Sequence, residues 1–225
     1  MAHTLTFTIH ENGSSRVEDI AIADAVIAGW TGRDLEALEK HIVELEEMGI
    51  SRPLSTPIFY RVAASRLTSA PDIEVSGGDS SGEVEFALIR HAGKTYVGVA
   101  SDHTDRKVEA YNVTVSKQMC DKPIAGELWA YDEVRGHWDD LVLRSWLADG
   151  TLYQEGPVTA MRDPEDLLPL YAADGLADGT LVFGGTLAAI GGIRPTSQLT
   201  IELSDPVLGR SIRHSYAMRE LPVLG

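Results

Sequence analysis

The stretch Gly82-Glu-Val-Glu-Phe-Ala-Leu-Ile-Arg-His-Ala-Gly-Lys-Thr-Tyr-Val-Gly-Val-Ala-Ser-Asp102 reads as a β-hairpin carrying acids at both ends. Val84, Phe86 and Leu88 recur at every second residue, the periodicity of a strand with one face in a core. Ala92-Gly93 supplies a two-residue turn. A turn centred there sets His91 opposite Lys94, Glu85 opposite Ala100 and Glu83 opposite Asp102. Opposed residues point to the same side of a sheet, and Glu83 and Glu85 share a face roughly 7 Å apart along the strand. Three carboxylates therefore converge on one patch. Crowded carboxylates raise each other's pKa unless positive charge sits among them, and a hard divalent cation with oxygen ligands is one solution. A solvated acidic face on an exposed hairpin is the other. The choice rests on register, because a slip of one residue sends Asp102 to the opposite face.

Upstream of the hairpin, Leu5, Phe7 and Ile9 alternate as a strand, Glu11-Asn12-Gly13 turns the chain, and a second strand covers Val17 to Ile22. One helix follows. Thr31 is its expected N-cap and Gly49 its stop, and Leu35, Leu38, Ile42, Leu45 and Met48 form an apolar stripe. Strands are expected at Pro57–Val62, Val84–Ile89, Tyr96–Ala100, Val108–Val115, Trp138–Leu147, Leu181–Phe183, Leu199–Leu203 and Ser211–Met218. A short helix over Pro164–Leu170 has Asp163 as cap and Pro164 at its first position. The fold class is α+β and mainly β. Residues 1–50 read as N-terminal strands and a lid-type helix, a small α/β arm, and 51–225 as the main domain of one compact unit.

Thirty-four acidic residues against 19 basic ones give a net charge of -15, which disfavours nucleic acid and anionic membrane as partners. The single cysteine, Cys120, rules out an internal disulfide and suits a reducing compartment. The N-terminus alternates in polarity and lacks the apolar run of a signal peptide, and Gly179–Ile193 is too short to span a bilayer, so a cytoplasmic location is expected. Gly184–Gly192 has neither the spacing of a phosphate loop nor that of a dinucleotide fingerprint. No Ser stands in a Gly-x-Ser-x-Gly elbow. His103 beside Asp102 is a candidate base, although it points away from the patch if the strand continues. His137-Trp138-Asp139 reads equally as a water-orienting group or an interface tryptophan, and His214 as structural.

In order along the chain stand Glu83-Val-Glu85, Asp102-His-Thr-Asp-Arg106, Lys117-Gln118, Tyr153-Gln-Glu-Gly-Pro-Val-Thr-Ala-Met161 and Gly184-Gly-Thr-Leu-Ala-Ala-Ile-Gly191, with Pro57-Ile-Phe-Tyr-Arg-Val62 upstream. This series resembles the fumarylacetoacetate hydrolase superfamily from about Arg33 onward, and the chain is similar to a divergent bacterial branch of it. The resemblance implies a mixed β-sandwich roll with Glu83, Glu85 and Asp102 as ligands of magnesium or manganese, or of calcium. It implies that Lys117 stabilises developing negative charge, that Arg106 holds a loop or the substrate acid group, and that Gly185 and Thr186 bind a substrate carboxylate. His41-Ile-Val-Glu44 has the spacing of the family's water-activating pair, and reads as well as an exposed helical pair. The last loop departs from the family's usual Thr-Gly-Thr-Pro.

The activity so implied is cleavage of a carbon–carbon bond in a small 2-oxo or β-dicarbonyl acid, as in an acylpyruvate hydrolase, through an enolate stabilised at the metal. Decarboxylation, hydration or tautomerisation of a 2-oxo acid, or ligand binding without catalysis, are the alternatives. A homodimer is expected from the resemblance alone.

Overall fold

The computed structural model describes residues 2–47 and 52–224, apart from the side chains of His41, Glu44, Leu45 and Glu47. Two sheets dominate. The larger has eight strands in the spatial order Ser14–Ile22, His3–Glu11, Glu127–Ala130, Lys94–Ser101, Val84–His91, Thr180–Thr186, Asp24–Gly29 and Ile58–Val62. The smaller has five, ordered Leu152–Pro157, Val142–Leu147, Gln198–Asp205, Arg210–Leu221 and Asp72–Ser76. Both mix parallel and antiparallel neighbours. The three strands of the first 29 residues are built into the larger sheet.

The acid-bearing hairpin lies at the centre of the larger sheet, and its two faces are both covered. Val84, Phe86, Leu88, Val97 and Val99 pack against Leu143, Leu199, Ile201, Leu203, Ile212 and Tyr216 of the smaller sheet. The alternate residues Ala87, Ile89, Tyr96 and Ala100 join Phe7, Ile9, Ile20, Ile27, Leu128 and Phe183 in a second core. That second cluster draws on every strand of the larger sheet, so the sheet curls over its own side chains. Burial on both faces explains the near-continuous apolar reading of these strands. It also fixes register, since a one-residue slip would exchange two filled cores.

The hairpin register is the one its turn implies: His91 pairs with Lys94 and Glu85 with Ala100, and the Asp102 amide donates to the Glu83 carbonyl at 3.0 Å. Ala92 and Gly93 both have positive φ, 49° and 75°, as a type I′ turn requires.

Three local expectations are corrected. The first helix is Leu35–Glu47, and its cap is Asp34, whose carboxylate accepts from the Glu36 and Ala37 amides at 3.0 Å. Thr31 instead offers its carbonyl to the Arg162 amide, and Leu35 is exposed. Gly49 and Met48 lie outside the described residues. The expected strand over Val108–Val115 is two short helices, Arg106–Glu109 and Val113–Met119. Asp105 caps the first by accepting from the Val108 amide, and Asn112 caps the second by accepting from Val115. Those side-chain bonds satisfy helix-start amides and outweigh the strand preference of three valines. Trp138 likewise lies in a 3₁₀ turn, Arg135–Asp140, before the strand Val142–Leu147 begins. The helix Pro164–Tyr171 starts on Asp163 as expected.

Candidate metal centre

Glu83 and Glu85 stand at the mouth of one hairpin strand and Asp102 just past the end of the other. Carboxylate oxygens from all three lie within 4.8 Å of one another. Two ligands of one ion can be no further apart than two metal–oxygen bonds, roughly 4.2 Å for magnesium and up to about 5 Å for calcium. An all-oxygen trio at this spacing is within the reach of calcium as it stands, and of a smaller hard divalent cation once the carboxylates draw in by a few tenths of an ångström. Burial is part of the design: Glu85 and Asp102 are 2% and 0% exposed, so the solvated acidic face is not what forms.

Each acid has a different electrostatic setting. Glu83 lies beside Arg106, with Nη2 at 3.2 Å; burial raises its pKa and the guanidinium opposes the rise. Asp102 is pushed up by burial too, but Lys117 on Oδ2 and Lys122 3.0 Å from Oδ1 more than offset that, holding it well below the usual carboxylate range. Glu85 accepts from the Gly185 amide at 2.7 Å and forms no ion pair among the described residues. Burial, then the Asp102 charge, push its pKa far up. The Lys117 charge and the Gly185 bond oppose this only in part, and a bound cation would stabilise its ionised form further.

The Gly185 bond depends on backbone shape. Pairing of Thr180–Thr186 with Val84–His91 is interrupted between Phe183 and Thr186, leaving Gly184 and Gly185 as a bulge. Gly185 has φ 108°, and a Cβ there would meet Thr31 Oγ1 at 1.9 Å, so only glycine lets this amide turn toward Glu85. Thr186 donates to the Val84 carbonyl at 2.9 Å and accepts from Gln154 Nε2 at 2.9 Å. Gln154 Oε1 in turn takes the Val84 amide at 3.0 Å. Gly185, Thr186 and Gln154 thus brace the glutamate strand.

Lys117 is buried, ion-paired to Asp102, and its Nζ lies 5.7 Å from the Tyr60 ring centre. Burial lowers its pKa, but the Asp102 and Glu83 charges raise it further, so it stays charged. Arg106 spends its fork on the protein: Nε donates to Ser81 Oγ at 2.7 Å, Nη1 to Glu109 at 2.8 Å, and Nη2 faces Glu83. These contacts join it to Ser81, Glu109 and Glu83. Gln118 donates to the Arg61 carbonyl.

His103 points away from the acids, as strand alternation implies. Its ring bridges Tyr216 Oη at 3.1 Å and Ser80 Oγ at 2.9 Å, fully buried between the sheets, and burial with the nearby Lys122 and Arg106 charges pushes its pKa down to about 3. His137 pairs with Asp205 at 3.0 Å. His214 is half-buried and stacks on Tyr216. The His41 and Glu44 side chains lie outside the described residues, and only their place on the first helix is seen.

Sequence reading passed over Lys122, Tyr60 and Glu109. Lys122 has a weak signal, a lysine five residues beyond Lys117. Its Nζ reaches Asp102 and the His103 carbonyl from the short strand Lys122-Pro123, which pairs in parallel with Leu67-Thr68.

The family model described as "Protein of unknown function (DUF2848)" matches residues 28–216. The chain belongs to this family. No curated protein matches it. Among solved structures it is similar to a fumarylpyruvate hydrolase from Pseudomonas aeruginosa in complex with Mn2+ and pyruvate, with TM-score 0.65, 17% identity, and 97% of each chain covered. A yeast fumarylacetoacetate hydrolase family protein gives 0.65 at 18% identity, over 91% of this chain and 96% of that one. A 5-carboxymethyl-2-hydroxymuconate delta-isomerase from Mycobacterium smegmatis gives 0.63 at 15%, over 93% and 86%. At such identities the likeness establishes the fold: this DUF2848 chain has the fumarylacetoacetate hydrolase-like fold. Among the described residues, no helix is long and apolar enough to cross a membrane.

Proposed function

We propose that the chain is a divalent-metal-dependent enzyme that breaks a carbon–carbon bond in a small 2-oxo or β-dicarbonyl acid. The observation that carries this reading is the buried oxygen trio Glu83, Glu85 and Asp102 with Lys117 beside it. Fold neighbours that are hydrolases or isomerases, one in complex with Mn2+ and pyruvate, support it. Glu83, Glu85 and Asp102 would hold magnesium or manganese, which supplies Lewis acidity to the keto acid when bound.

The chain's own groups do the rest. Lys117 keeps its proton beside the negative charges and adds a fixed positive charge where negative charge develops on the substrate. Tyr60 forms one wall next to that ammonium group. Gly185, Thr186 and Gln154 hold the glutamate strand still, and Arg106 ties Glu83 to the helix Arg106–Glu109. Activation of a water by His41 and Glu44 rests on the resemblance alone.

The test is turnover of acylpyruvates and of oxaloacetate-type 2-oxo acids by metal-reconstituted protein, with Glu83→Ala and Glu85→Ala alongside. Metal-dependent turnover that disappears with bound metal in both variants is the expected result. Turnover that survives either substitution rejects the assignment. Decarboxylation without hydrolysis would move the chain to the alternative reaction on the same centre.

A further inference from the structure

Lys122 is the feature that the proposed chemistry leaves unused. Its side chain is fully buried, and its Nζ lies 3.0 Å from Asp102 Oδ1 and donates to the His103 carbonyl. Burying an ammonium group is costly unless its charge is matched, and here the match is a proposed metal ligand.

The charges around the trio make the consequence concrete. Counted ionised, as a bound cation would require, the ion-pair network that includes the trio sets four carboxylates, Glu83, Glu85, Asp102 and Glu109, against three cations, Arg106, Lys117 and Lys122. One negative charge is left over. A divalent cation added alone overshoots to one net positive charge in a largely buried setting, where charge is poorly screened. A monoanion arriving with it restores balance. Without Lys122 the surroundings would carry two negative charges, and the divalent ion alone would balance them.

Resting on the metal reading above, we propose that Lys122 makes metal loading conditional on the substrate, so that the ion and a monoanionic 2-oxo acid carboxylate bind cooperatively. Lys122 acts through Asp102 and is a positioning residue. Its charge lowers the affinity for the ion alone and is repaid only in the ternary state. Because coupling between two ligands is reciprocal, the same lysine makes keto-acid binding depend on the ion.

The experiment measures free Mn2+ by electron paramagnetic resonance during titration of the full chain, with and without pyruvate. Wild type should bind Mn2+ about tenfold more tightly or better with pyruvate present, within the usual range of such couplings. Lys122→Gln keeps a donor and removes the charge. It should bind Mn2+ alone more tightly than wild type and show only about a twofold pyruvate effect. Lys122→Arg keeps the charge and should keep the coupling. Equal Mn2+ affinity of wild type with and without pyruvate overturns the proposal, and that arm needs no variant to fold. Weaker Mn2+ binding by Lys122→Gln, or Gln-like behaviour of Lys122→Arg, overturns it as well. Absence of Mn2+ binding to wild type in both conditions overturns the metal reading itself and is thereby told apart.

Discussion

Glu85 holds the least compensated charge in the site. It is buried, its one backbone donor is the Gly185 amide, and burial followed by Asp102 raises its pKa well above the ordinary carboxylate range. In metal-free protein this costs stability as pH rises, since the folded state gives up its proton later than the unfolded chain. Glu85→Gln removes the charge and keeps an acceptor for Gly185. It should therefore stabilise the metal-free protein, by roughly 1–3 kcal/mol, while abolishing the melting shift given by Mn2+. Parallel thermal melts check both halves; a variant that melts lower without metal contradicts the charge argument. The position of Glu85 was legible because the Ala92-Gly93 turn fixes register. The lysine pair on Asp102 was not, because Lys122 reaches it through a parallel pairing some 55 residues away in sequence, Lys122 with Leu67.

At the scale of the element, short-range capping decided what strand and helix preferences left open. Asp34 took the cap expected of Thr31 because its side chain reaches two amides at once. Asp34→Ala should cost about 1 kcal/mol, lowering the melting temperature by roughly 2–4 °C in a chain of this size; no change would return the cap to another residue. The hairpin depends on close approach as well. A Cβ at Gly82 would meet Tyr216 Oη at 2.1 Å and Leu199 Cδ2 at 2.5 Å. Gly82→Ala should destabilise by about 1–3 kcal/mol through overpacking, with Tyr216→Phe in the same chain recovering part of the loss. Chemical denaturation of the single and double variants measures this, and strictly additive losses would show that the two groups do not meet. Neither contact could be read in advance, because Tyr216 belongs to the other sheet. The two short helices after Asp105 were misread for a related reason: valines at 108, 113 and 115 favour a strand, and the capping bonds of Asp105 and Asn112 override them.

For the whole molecule, the sandwich of a curled eight-stranded sheet on a five-stranded one was legible as a mainly-β α+β fold. Its strand order was not, because parallel neighbours such as His3–Glu11 and Glu127–Ala130 are joined by nothing local. Between the sheets His103 remains neutral, with its pKa held at about 3 by burial and neighbouring cations. The unfolded chain binds that proton near pH 6.5, so stability is complete above about 6.5 and falls as pH drops from there toward 3. His103→Gln should flatten this acid-side slope in denaturation curves of metal-free protein, and an unchanged slope would assign acid sensitivity elsewhere. The central claim is that buried strand pairing gathers Glu83, Glu85 and Asp102 around one divalent ion. Crystals grown with Mn2+ and pyruvate, measured at the manganese absorption edge, test it most directly. One anomalous peak touching an oxygen of each of the three residues is the predicted result. A map with no peak there, or a peak held by other residues, contradicts it.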